Sequence, residues 1–347
     1  MTCKDTIIEK AENFNASKKE SVSILRSHLD HPENVDSSMH MNFYQNNHQS
    51  ENIAKLINSP ASHPDWEVSI DHSPSHIASY KNFIFVCNSY GNLCILDGSC
   101  GGQKISSQNL KITKICSISV NSKYFGVTFS NIKDPKKYYK TLPSCGIGLF
   151  SYEDKRVSNY LENYIKPIRG GYKDPRGLVL AEEFLYVSDN QLKKIFKLNY
   201  NGDKLETFSF DGGIFDISLN SSLLAAINYV SHEIYLINAL RMTVIQKTKV
   251  HQENQYEHGP YYIALSNETN NNMIFFSDTN RKKIYLFDRK NPIPSFSAKF
   301  DKILSIALFD DPNQSLIVGS EDNNNSLSKN KYKLSCFKQK TEPKIYN

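Results

Sequence analysis

The chain has 347 residues, 39% of them hydrophobic and 22% charged, with 20 Tyr and 19 Phe against a single Trp. β-Branched and aromatic residues are abundant, which leans the composition towards strands and away from helical bundles. No apolar run approaches the roughly 18 to 20 residues of a membrane helix, and the start Met1-Thr2-Cys3-Lys4-Asp5 lacks the apolar core of a secretory signal, so a cytoplasmic protein with no membrane role is expected.

Residues 1–65 are polar, rich in Asn, Ser and His, and hold 6 Lys/Arg against 9 Asp/Glu. Within them only 5–30 shows helical spacing, with Ile7, Ala11, Phe14, Val22, Leu25 and Leu29 on one face. The expectation is an N-terminal arm over 1–65, flexible or carrying a short helix at about 5–30 that could be a coiled-coil remnant. From Trp66 onward the texture changes to short apolar runs separated by Asn, Gly, Asp and Lys, and this part holds 35 Lys/Arg against 27 Asp/Glu. The seven cysteines are odd in number and scattered, and none forms a CxxC pair. They are expected to be reduced, mostly core thiols rather than zinc ligands.

Internal similarity then organises 66–347. A six-residue strand signature recurs at 82–87, 122–127, 183–188, 222–227, 272–277 and 314–319. The residue after each copy is Asn88, Thr128, Asp189, Asn228, Asp278 and Ser320, at separations of 40, 61, 39, 50 and 42. The long gap holds an insertion, 131–144. Each copy is preceded by a strand with small residues in alternation, at 76–79, 115–120, 177–180, 214–219, 262–265 and 304–308. A third strand follows each copy, at 93–96, 147–150, 195–198, 234–237, 284–287 and 334–337, and a turn such as Asn201-Gly202-Asp203 leads to a variable fourth. Four strands per unit of about 40 residues is the arithmetic of a propeller blade. The fold expected is an all-β, six-bladed β-propeller. Its ring must close so that no blade exposes a free inner edge, with Trp66 to Ile70 or Glu342 to Tyr346 as the outer strand of the last blade. Trp66 reads as a core or seam anchor.

The unit resembles the NHL repeat on Asp174-Pro175-Arg176-Gly177-Leu178-Val179, then Leu185-Tyr186-Val187-Ser188-Asp189 and Lys194-Ile195-Phe196-Lys197-Leu198. A second match runs from Phe276-Ser277-Asp278 to Lys283-Ile284-Tyr285-Leu286-Phe287. In both, a cation stands five residues after the Asp, where a link to a neighbouring Asp or backbone carbonyl would hold the blade. The other four copies keep mainly the apolar skeleton. There are no Trp-Asp or Gly-His pairs, which disfavours a WD40 reading. The resemblance covers about 70–340 and implies a six-bladed architecture. NHL propellers often end tripartite-motif ligases, but with only Cys3 before residue 87 this chain has no RING or B-box, so ligase chemistry is not implied.

No G-x-S-x-G elbow and no Gly-rich phosphate loop is found, and no cofactor is implied. Some six-bladed propellers are metal-dependent hydrolases or lyases. His76 and His258 lead into first strands, but no third ligand matches them. The cations are more informative. Loops between second and third strands, and loops leading into first strands, open on one face of a propeller. On that face lie Lys136, Lys137, Tyr138, Tyr139 and Lys140 of the insertion, Tyr172, Lys173 and Arg176 before blade three, and Arg281 and Lys282 of blade five. The expected function is a non-catalytic scaffold that binds a protein partner through these residues. The alternative is single-stranded RNA, with the cations on phosphates and the tyrosines stacked on bases.

Overall fold

The computed structural model describes residues 64–110, 112, 114–130, 144–151, 164–168, 170–228, 230–250, 262–266, 274–279, 282–288, 291–296, 300, 302–309, 315–321 and 332–337. The chain divides into two units, Met1–Gln49 and Ser50–Asn347, and all described residues belong to the second. The helix expected at 5–30 lies outside them, as does Glu342 to Tyr346.

The described residues form six four-stranded antiparallel sheets. After β1 (Trp66–Ile70), blade 1 holds β2 (His76–Tyr80), β3 (Phe83–Cys87), β4 (Asn92–Asp97) and β5 (Gln103–Asn109). Blade 2 holds β6 (Ile115–Val120), β7 (Tyr124–Phe129), β8 (Gly146–Ser151) and β9 (Tyr164–Ile168). Blade 3 holds β10 (Pro175–Leu180), β11 (Phe184–Asp189), β12 (Lys194–Asn199) and β13 (Lys204–Ser209). Blade 4 holds β14 (Asp216–Asn220), β15 (Leu223–Asn228), β16 (Glu233–Asn238) and β17 (Thr243–Lys249). Blade 5 holds β18 (Tyr262–Leu265), β19 (Ile274–Asp278), β20 (Lys283–Asp288) and β21 (Asn291–Phe296). Blade 6 holds β22 (Lys302–Leu308), β23 (Leu316–Glu321) and β24 (Tyr332–Phe337), and its fourth strand is β1. The molecule is a six-bladed β-propeller.

Burial follows position in the blade. A second strand is covered on both faces by neighbouring blades, so it is a continuous apolar run: Leu223–Asn228, LLAAIN, is buried at all but its first residue. An outer strand is covered on one face only, so exposure alternates along Thr243–Lys249. The core is correspondingly divided by seam. Each pair of adjacent blades shares one apolar cluster, for example Phe85, Phe125 and Phe129 between blades 1 and 2, and Tyr186, Ile217 and Tyr235 between blades 3 and 4.

Ring closure uses the first of the two expected strands. β1 pairs antiparallel with β24 from Trp66↔Cys336 to Ile70↔Tyr332. Trp66 and Val68 pack against the cluster shared by blades 6 and 1. The indole also covers Gly102 in the last turn of blade 1, where φ is +78° and a Cβ would lie 2.7 Å from the ring. Only glycine fits there on both counts. Cys87, Cys94 and Cys336 are buried, Cys116 and Cys145 are half-buried, and Cys100 is exposed, none of the six in a disulfide. Among the described residues no helix is long and apolar enough to cross a membrane.

Candidate interaction face

The six inner strands β2, β6, β10, β14, β18 and β22 line a central channel of about 760 Å³. Their pairing registers align three tiers around it. The first tier is His76, Ser117, Gly177, Asp216, Tyr262 and Ser305. The second is Ile77, Ile118, Leu178, Ile217, Ile263 and Ile306, all buried. The third is Ala78, Ser119, Val179, Ser218, Ala264 and Ala307, small as space near the axis requires. Gly177 breaks the first tier because a Cβ there would sit 2.7 Å from the Ile217 backbone nitrogen of the next blade.

The polar members of these tiers bond across seams. The Ser119 hydroxyl accepts from the Leu180 N–H and that of Ser218 from the Leu265 N–H, each at 3.0 Å. Thr128 donates to the Arg176 carbonyl at 2.6 Å, and Ser305 donates to the Pro74 carbonyl. Asp216 Oδ2 accepts from the Ile263 N–H at 3.0 Å. Burial pushes its carboxyl up to about 7, the two backbone N–H groups opposing the shift only in part. The Nε2 of His76 lies 3.1 Å from the Ile115 carbonyl. Burial pushes this imidazole down to about 4, with the Arg176 charge adding to it, so it is neutral and donates from Nε2. His76 thus spans a seam. His258 lies outside the described residues, and among those described no three His, Cys, Asp or Glu side chains are grouped to hold a metal.

Antiparallel connectivity puts the second-to-third-strand turns and the lead-ins to inner strands on one face, around the channel mouth. Side-chain caps order these loops. Buried Asp189 accepts from the N–H groups of Lys173 at 2.7 Å, Asp174 at 3.2 Å and Leu192 at 2.9 Å, which ties the lead-in of blade 3 to its turn. Asn228 accepts from Val230 and Ser231, and Asn88 from Tyr90 and Asn92, which caps the turns of blades 4 and 1 from within. Four residues after Asp189, Asn228 and Asp278 stand Lys193, His232 and Lys282, all with left-handed φ between +56° and +58°. The turn therefore sets the direction of a cation or imidazole in three blades.

The cations expected to link each blade, Lys194 and Lys283, lie directly across from Asp189 and Asp278 in the register. The carbonyl contact is made by Lys193, whose Nζ donates to the Asp211 carbonyl at 3.0 Å. Of the ten residues expected at the binding surface, Lys136, Lys137, Tyr138, Tyr139, Lys140 and Arg281 lie outside the described residues. Lys173 and Lys282 are exposed on the face. Arg176 stands at the channel mouth, its Nε donating to Asp174 Oδ2 at 3.1 Å and its guanidinium 5.6 Å from the Phe215 ring centre. Tyr172 is different. It is 8% exposed, meets Phe196 edge-on at 5.8 Å, and buries its hydroxyl without a hydrogen-bond partner among the described residues. Two apolar residues that sequence reasoning missed, Tyr90 and Val230, are exposed at 73% and 63% in the turns of blades 1 and 4 on this same face. Their shared place, two residues after the capping Asn88 or Asn228, was the available signal.

Among solved structures the chain is similar to the WD40 beta propeller domain of Doa1, at 12% identity and a TM-score of 0.50, covering 77% of this chain and 79% of that one. At that identity the likeness shows the fold alone. No family model matches the chain, and no curated protein matches it. The likeness to NHL repeats rests on the motifs around Asp189 and Asp278.

Proposed function

We propose that this chain is a non-catalytic interaction scaffold that binds a protein partner through the loop-bearing face of its propeller. One observation carries this reading: Tyr90 and Val230 stand open to solvent on the face that also carries Lys173, Arg176 and Lys282. Large apolar side chains beside cations suit the core and rim of a protein interface. RNA would need several aromatic faces open for stacking; Tyr172 commits its ring to the core, and of the described aromatics on this face Tyr90 is the one open to solvent. On this reading the insertion residues Lys136, Lys137, Tyr138, Tyr139 and Lys140, together with Arg281, take part in binding.

The test compares the full chain with Lys136→Glu/Lys137→Glu/Lys140→Glu. Partners recovered from lysate and identified by mass spectrometry should be lost in the variant while its melting temperature is unchanged. Equal recovery by both proteins would sink the reading. Fluorescence anisotropy with a mixed single-stranded RNA pool should stay flat. Sub-micromolar binding that weakens steeply with salt would put RNA in the protein partner's place.

A further inference from the structure

We propose that β17, the outer strand of blade 4, is a strand-addition site for an extended, acidic, aliphatic-rich segment of a partner protein. The inference is independent of the loop-bearing face and starts from a comparison the molecule makes with itself. The outer strands of blades 1 and 4 follow one backbone path. Both run seven residues, both have the same alternation of exposure, and both shift register at the same point, after Ile95 and after Leu236. The extra residues at these bulges are Ile105 and Ile245, and Leu205 holds the equivalent place in blade 3. A bulge residue has no cross-strand partner and turns outward, and these three are exposed at 38%, 61% and 47%.

What differs is the guarding of the edge. The residue before the bulge is Lys104 in blade 1 and Lys204 in blade 3, a residue type that discourages a further strand from pairing. Lys104 reaches Asp71 at 3.1 Å, and Lys204 lies 4.5 Å from the Phe196 ring centre. Blade 4 has Val244 there, 39% exposed, and Leu240 in the preceding turn adds a third open aliphatic at 59%. Two residues after the bulge, blade 2 carries Pro167 where blade 4 carries Lys247, and the outer strand of blade 5 carries Pro292 and Pro294. Proline at such a place removes an outward N–H and blocks pairing. β17 has neither device at these two positions; its lysines, Lys247 and Lys249, come after the bulge and leave the aliphatic stretch around it uncovered.

The backbone of β17 is correctly aimed. The Val250 N–H donates inward to the His232 carbonyl at 2.8 Å. Antiparallel alternation then turns the N–H and C=O of Lys247 and Lys249 outward, and β17 is the last strand of its sheet. Charge selects the occupant. Arg241, Lys247 and Lys249 are exposed along this edge, and Glu233 is joined to Lys247 at 3.0 Å. A second copy pairing antiparallel on the same strand would crowd four lysines into one short ladder, where like charges repel. An acidic strand with alternating aliphatics meets both the charge and the apolar patch.

The probe is a fluorescein-labelled peptide of alternating Glu and Val, with a Lys/Val peptide as its counterpart, titrated by anisotropy against the full chain. The acidic peptide should bind and the basic one should not. Lys247→Pro, which places the guard of blade 2 at a position whose N–H points outward, should weaken binding at least tenfold with an unchanged melting temperature. Val244→Ser/Ile245→Ser should do the same through the apolar patch. Failure of the acidic peptide to bind, equal binding by both variants and the wild type, or a dimer in sedimentation that Lys247→Pro dissociates would each overturn the proposal.

Discussion

A single carboxylate shows how much order one residue imposes. Asp189 is fully buried, and its oxygens receive three backbone N–H groups from two loops separated by strands β10 and β11. Removing it leaves those donors without their partner in a buried site, at a typical cost of about 1–3 kcal/mol for a group left unsatisfied. Asp189→Ala is expected to lose about 3 kcal/mol in urea denaturation. Asp189→Asn should lose less than half of that, because Asn228 caps the equivalent turn of blade 4 with an amide. A loss below about 0.5 kcal/mol for the alanine variant would show that the loops hold themselves. The NHL-like motif already marked this position. Its partners were not legible, since the N–H groups it serves come from the lead-in 15 and 16 residues earlier as well as from its own turn.

Among the elements, β1 joins the two ends of the ring. The alternative to closure is an open blade edge next to an unfilled seam, so the latch acts through packing as well as through its ladder to β24. Ile70 is buried within the blade 6–blade 1 cluster, Trp66 and Val68 pack against it, and the Trp66 indole also lies over Gly102. Full burial of a large aromatic is worth about 3–5 kcal/mol on truncation, and Trp66 is half-buried. Trp66→Ala should therefore cost about 2–3 kcal/mol by denaturant titration, with Trp66→Phe recovering most of it. Equal stability of Trp66→Ala and the wild type would mean that closure rests on the backbone ladder alone. The outer strands add a second element-level lesson. Their bulges recur at one register in blades 1 to 4, with Ile105, Ile165, Leu205 and Ile245 at the extra position. An aliphatic there reads in sequence as a core residue, and for Ile105, Leu205 and Ile245 only the register shift and their exposure show that it is turned outward.

For the whole molecule, the ring sets His76 of blade 1 and Asp216 of blade 4 three blades apart in the same tier of the channel wall. Their effects on stability oppose each other. Asp216, with its folded pKa raised to about 7, keeps in the folded state a proton that the unfolded chain releases, so its contribution is full at low pH and is lost as pH rises towards 7. His76, with its folded pKa lowered to about 4, stays neutral where the unfolded chain takes up a proton. Its contribution is full above about 6.5 and is lost as pH falls towards 4. Between about pH 4 and 6.5 the two slopes offset. Asp216→Asn should unmask a melting temperature that rises with pH across this window, and His76→Gln one that falls. Profiles parallel to the wild type in both variants would remove these groups as the titrating pair.

The repeats by themselves determined that six four-stranded units succeed one another and where each strand lies. A sheet covered on both faces needs continuous apolar runs, and an innermost strand needs small residues, and both demands are local and periodic. They also pointed to the side on which the loops and cations gather, because antiparallel connectivity dictates it. The tertiary structure decided the rest: that β1 and not the C-terminal end completes blade 6, that His76 and Asp216 are seam groups, that Tyr172 is core while Tyr90 and Val230 are open, and that the outer edge of blade 4 exposes Val244 and Ile245. Each of these depends on which blade lies against which. Burial and charge pairing across a seam join residues from tens to more than two hundred positions apart, where no local pattern records the contact.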